Sequence, residues 1–136
     1  MAKHDNAVLA TLTALTDQLR GRGALSPLPT GVRLDGKTAL VTGANSGLGF
    51  GLTVQLARRG ARVLMACRSG IPEAGEAAKR ASGSSAIEML PVDLTDFASI
   101  HALCDTLRDR GEKLDLVVSN AGLMPRESRE TPAGFE

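Results

Sequence analysis

The 136-residue sequence has no tyrosine, no tryptophan, only two cysteines and two histidines, and no block of like charge. Cys67 and Cys104 do not form a CxxC pair and are too few for a disulfide framework or a zinc site, so they read as small apolar fillers in a reducing compartment. His4 and His101 lie far apart, and no metal site is expected. Sixteen Lys and Arg are interspersed with fifteen Asp and Glu for a net charge of +1, which gives nucleic acid nothing to dock on. There is no long apolar run either. The N-terminal "MAKHDNAVLATLTALTDQLRGRG" is broken by Thr11, Thr13, Thr16 and Asp17, so neither a signal peptide nor a membrane span is expected, and a cytoplasmic chain is.

What is present has the composition of an ordinary globular domain, 43% hydrophobic and 23% charged. Residues 1–33 read as a helix with Val8, Leu12, Leu15 and Leu19 on one face, suited to packing or homo-oligomerisation, followed by the Pro/Gly linker "GRGALSPLPTG". From Leu34 onward the pattern becomes regular. Strand-like runs at 38–42, 61–67 and 86–90, the last stopped by Pro91, are followed by a fourth strand with its exit turn at 114–122. Helical spacing covers 48–59, 71–80 with Pro72 near its first turn, and the stretch before Gly111, where Thr95 or Asp96 is the cap. Phe97, Ile100, Leu103, Cys104 and Leu107 form the apolar face of that third helix. The alternation predicts an α/β fold, a doubly wound parallel sheet of Rossmann type over residues 34–136, with an extra N-terminal helix. A ligand belongs outside the carboxyl ends of the strands, beside the first.

Two phosphate motifs compete around that first strand. "GVRLDGKT", Gly31 to Thr38, matches G-x-x-x-x-G-K-[ST] letter for letter, but a P-loop must follow a strand and open a helix. Here "SPLPT" precedes it and a strand follows, so Lys37 reads as a solvated residue ahead of the strand. "TGANSGLG", Thr42 to Gly49, has the required neighbours: it leaves a strand and opens a helix. Glycines at 43, 47 and 49 permit a tight turn and close backbone approach to a pyrophosphate at the helix N-terminus.

The T-G-x-x-x-G-x-G spacing resembles that of the short-chain dehydrogenases/reductases. The phrases "GANSGLG", "ACRS", "VDLTD", "SNAGLMP" and "TPAGFE" resemble the subgroup containing retinol dehydrogenases and protochlorophyllide reductases, over roughly Leu34 to Glu136. The resemblance implies NADP(H) in preference to NAD, and a lipophilic carbonyl, alcohol or ring substrate. It implies a cofactor site made by Gly43, Asn45, Ser46, Gly47, Leu48 and Gly49, by Arg68, by Asp93 and Leu94, and by Asn120, Ala121 and Gly122. Arg68 would pair with the extra phosphate of NADP, helped by the Ser46 and Ser69 hydroxyls; the alternative is a surface Arg. Asp93 would lie beside the adenine, or serve as a charge at a helix N-terminus. Ser119 departs from the family's N-N-A-G.

The family's proton donor is a Tyr supported by a Lys four residues on, with a Ser that orients the carbonyl. With no tyrosine here, and with Lys3, Lys37, Lys79 and Lys113 in no Tyr-x-x-x-Lys pattern, no catalytic residue is assigned. The expectation is a sheet truncated after its fourth strand, whose open edge at Leu116 and Val118 invites instability or association. Three readings follow: the nucleotide half of an NADP-dependent oxidoreductase awaiting a C-terminal half, a standalone NADP-binding regulatory module, and an inactive remnant. Cys67 and His101 are read as structural.

Overall fold

The computed structural model describes Pro29, residues 31–122, Glu130 and Gly134. The chain divides into two compact units, 1–32 and 33–136. The N-terminal helix expected in the first unit, and most of the "LMP" and "TPAGFE" phrases, lie outside the described residues.

The second unit alternates β1 (Thr38–Thr42), α1 (Gly47–Arg58), β2 (Arg62–Cys67), α2 (Glu73–Ser82), β3 (Ile87–Pro91), α3 (Phe97–Asp109) and β4 (Leu116–Val118). All pairings are parallel and the strand order is β3-β2-β1-β4. The chain therefore reverses its direction of winding at β1, which puts the topological switch point, where folds of this kind have a ligand crevice, at the carboxyl ends of β1 and β4.

Strand periodicity sorts the core into two layers. Ala39 and Val41 of β1 with Val63, Met65 and Cys67 of β2 face Val54, Leu56 and Ala57 of α1 and Ala78 of α2. Leu40, Leu64 and Ala66 face the opposite way with Leu90, Val92 and Leu103, and half-buried Ile100 and Leu107 of α3 pack on them. Continuous apolar runs become buried strands because helices cover both faces of the sheet.

Some local expectations hold and others are corrected. β3 ends at Pro91 as expected, but Pro91 is itself the last residue of the strand, in register with Cys67, and the position is tolerated because β3 is an edge strand among the described strands and needs no N–H there. Pro72 is the N-cap of α2, beside the first turn as expected, and the helix itself starts at Glu73 rather than Ile71. Phe97 (55% exposed) and Cys104 face outward, so the buried stripe of α3 is narrower than the sequence suggests, with Leu103 its one fully buried residue. Asp96, one of the two candidate caps, accepts the Ala98 N–H at 2.9 Å. Among the described residues no strand pairs with the far side of β4, where Leu116 and Val117 are exposed and Val118 is half-buried.

Candidate functional site

β1 ends at Thr42, and the chain turns through Gly43 before entering α1 at Gly47. Gly43 and Gly47 have φ of 62° and 54°, a left-handed backbone that disfavours any side chain. The three motif glycines do different jobs. A Cβ on Gly43 would lie 2.8 Å from the Ala121 Cα, and one on Gly49 would lie 2.5 Å from both the Gly43 carbonyl oxygen and Asn120 Nδ2. The room at these two positions is thus filled by the protein's own turns, whereas Gly47 faces open space.

The N-terminus of α1 is uncapped by side chains. Ser46 occupies the cap position in extended geometry, but its hydroxyl makes no cap bond, and the first turn holds no acidic residue. The first-turn N–H groups and the positive end of the helix dipole are left for an anion. Ser46, Gly47 and Leu48 are exposed, Leu48 by 87%.

A threonine latch joins this turn to the end of β4. Thr42 Oγ1 accepts the N–H groups of Asn120 (3.1 Å) and Ala121 (3.0 Å) and donates to the Val118 carbonyl (3.4 Å). Asn120 Nδ2 donates back to the carbonyls of Thr42 (3.0 Å) and Gly43 (3.3 Å). Thr42 is the first letter of the motif, yet nothing local in the sequence marks its role; only the parallel pairing of β1 with β4 reveals its partners. Ala121 and Gly122 lie exposed at the mouth of the crevice.

The end of β2 supplies the third wall. Cys67 is 2% exposed, and burial pushes its thiol above the ordinary range, against the opposing pull of the Ala44 and Asn45 N–H groups. Its place is packing beneath the turn. Asn45 Nδ2 approaches Ser69 Oγ at 3.4 Å, linking the glycine turn to the residue after Arg68. Arg68 Nη1 lies 3.5 Å from Asp93 Oδ2, so two residues given separate roles by the sequence form an ion pair here. Asp93 Oδ1 accepts the Thr95 hydroxyl (2.7 Å) and N–H (2.9 Å), and these bonds hold its carboxyl below the usual range, with Arg68 adding to the effect. The Asp93 N–H donates to Ser99 Oγ at 2.9 Å, while Leu94 is 46% exposed.

The sequence-derived site residues therefore lie on the turns after β1, β2 and β4, on the first residues of α1 and on the segment after β3. No group of three His, Cys, Asp or Glu suited to a metal occurs among the described residues. No described helix is long and apolar enough to cross a membrane. An apolar hollow of about 330 Å³, lined by Leu34, Leu56 and Leu116 among others, is at the opposite end of the sheet.

The profile of the short chain dehydrogenase family matches residues 37–133. Human dehydrogenase/reductase SDR family member 13 is 44% identical over 94 residues, 66% of this chain and 24% of that protein. Mouse retinol dehydrogenase 11 is 36% identical over 129 residues, 92% of this chain and 40% of that protein. Among solved structures, L-sorbose reductase from Gluconobacter frateurii, in complex with NADPH and L-sorbose, superposes with a TM-score of 0.62 at 26% identity, covering 71% of this chain and 37% of that one. The chain thus spans well under half the length of each of these relatives. A doubly wound parallel sheet, a T-G-x-x-x-G-x-G turn at its switch point and this sequence kinship establish that the chain belongs to the short-chain dehydrogenase/reductase family of oxidoreductases and is retinol dehydrogenase-like.

Proposed function

We propose that the chain binds NADP(H) in preference to NAD, as the nucleotide-binding part of an oxidoreductase acting on a carbonyl or alcohol group of a lipophilic small molecule. The observation that carries this reading is the N-terminus of α1, free of a side-chain cap, with open space at Gly47 and with its glycine turn joined to the residue after Arg68 through Asn45 and Ser69. A pyrophosphate fits the α1 N-terminus, because bare N–H groups and the absence of acidic side chains there both favour an anion. Arg68, 66% exposed, is the cation available for a ribose 2′-phosphate, and Asn45 and Ser69 flank it. Asp93 and Leu94 border the adenine, and Asn120, Ala121 and Gly122 the second ribose. Bound NADP(H) supplies the hydride chemistry; the residues of this chain position and select it. The lipophilic substrate rests on kinship with retinol dehydrogenases.

Residues 1–33 form, in this proposal, an accessory segment to a nucleotide-binding unit at 34–136. A second reading, NADP binding without turnover by this chain alone, is favoured by one observation: its 136 residues contain no tyrosine to donate the proton.

Calorimetric titration of the chain with NADPH and with NADH tests the cofactor reading. Tighter binding of NADPH, weakened roughly ten- to a hundredfold in Arg68→Ala with NADH nearly unchanged, is expected for loss of a charge-assisted contact. Equal loss for both cofactors rejects phosphate selection by Arg68.

A further inference from the structure

We propose that Asp93 sets how strongly the chain discriminates NADP from NAD, by holding Arg68 as a counter-ion that the 2′-phosphate must displace. The inference rests on the NADP reading above and assigns Asp93 a role beyond bordering the adenine.

The two oxygens of Asp93 have different circumstances. Oδ1 is fixed by the Thr95 hydroxyl and N–H, and the Asp93 backbone is fixed by its N–H bond to Ser99 Oγ. The carboxylate therefore cannot swing away from the crevice. Oδ2 lies toward Arg68 Nη1 at 3.5 Å, beyond ordinary hydrogen-bond length, with Arg68 66% and Asp93 32% exposed. Such a loose, solvated pair is weak and open to exchange.

A 2′-phosphate arriving at Arg68 meets this fixed negative charge as a competitor. A 2′-hydroxyl does not need Arg68 and meets no such competition. Asp93 consequently lowers the gain from the phosphate while leaving NAD binding untouched through this route, and the ratio of the two dissociation constants isolates it from any adenine contact, which both cofactors share.

Asp93→Asn is the informative variant, because an amide oxygen still accepts the two Thr95 bonds while the charge is gone. Asp93→Ser, whose hydroxyl can make the same local turn, provides a second test if the first folds poorly. Dissociation constants of NADP and NAD are measured for the full chain, for each Asp93 variant, for Arg68→Ala and for the double variant. The Kd(NAD)/Kd(NADP) ratio should rise about two- to fivefold on removing the charge, the range of one exposed ion pair. In the Arg68→Ala background that rise should largely vanish. An unchanged or lower ratio in a folded Asp93 variant overturns the inference while leaving NADP selection intact, and a full rise without Arg68 shows direct repulsion and overturns the counter-ion route. A parent chain with no preference for NADP overturns the cofactor reading and this inference with it.

Discussion

The two ends of the sheet are built on opposite principles. At the amino end every strand start is tied by paired charge: Asp115 accepts from Lys37 Nζ at 2.7 Å and from the Thr38 N–H at 2.9 Å, and Arg62 joins Glu112 and Glu88, the latter shared with Arg110. At the carboxyl end the turns carry glycines, a hydroxyl latch and a helix N-terminus without a side-chain cap. Donors are satisfied where the fold is held and left without a side-chain cap at the α1 N-terminus, where the proposed function places an anion. Substitutions at the two ends should accordingly separate stability from binding.

The largest effect should come from Gly49→Ala, with Gly51→Ala as its internal control. Both glycines lie in α1, where alanine is favoured by about 1 kcal/mol. At Gly51 nothing lies within 4 Å of the added Cβ, so the variant should be stabilised by about that amount with cofactor affinity little changed. At Gly49 the Cβ would meet a backbone carbonyl and an amide nitrogen at 2.5 Å, and backbone cannot yield as a flexible side-chain end does. Overpacking of this kind costs about 1–3 kcal/mol and would displace the Gly43 turn, so Gly49→Ala should lose both stability and cofactor binding. Thermal melts and calorimetry on the pair check this; equal behaviour of the two variants would show that the glycine turn is not close-packed at Gly49.

The contrast also explains what the sequence could and could not reveal. Strand runs, helices and the glycine turn were legible because their signals are local, and their alternation was enough to read a parallel, doubly wound sheet. The outward turn of Phe97 was not legible, because a helical stripe gives no indication of how wide a sheet lies beneath it. Thr42 and Asn120 are 78 residues apart, and the Arg68–Asp93 pair spans two different turns; only parallel register brings them together. The glycines were legible as a turn, but not that two of the three make room for the chain itself.

A smaller effect, confined to stability, is expected at the amino end from Arg62→Met. Arg62 bridges Glu112 and Glu88 at the start of β2, and its removal leaves both carboxylates short of a partner although Arg110 still reaches Glu88. The Arg62 side chain is 38% exposed, so water replaces part of what is lost. The melting temperature should fall by a few degrees with the NADPH dissociation constant unchanged. A variant that keeps its melting temperature but loses cofactor would reverse the division between the two ends.

The smallest effect is a pH dependence at the same end. Bonds from Lys37 and from the Thr38 N–H hold the Asp115 carboxyl below its ordinary range. A group whose folded pKa is depressed contributes its stability fully above the unfolded value of about 4 and loses it as pH falls through the folded value. Acidification below about pH 4 should therefore lower the melting temperature, and Asp115→Asn should flatten that decline by removing one of the protonations that drive it. The flattening will be partial, because Asp35, Glu76, Asp93 and Glu112 are shifted in the same direction and still titrate. At neutral pH the variant melts lower than the parent, since the Lys37 ion pair is gone, and the two curves should converge as acid strips the parent of the same interaction. Melting curves for both proteins from pH 7 to pH 3 decide it: curves that run parallel throughout would mean that Asp115 gains nothing from Lys37 on folding, and that the amino end is held by the Arg62 network alone.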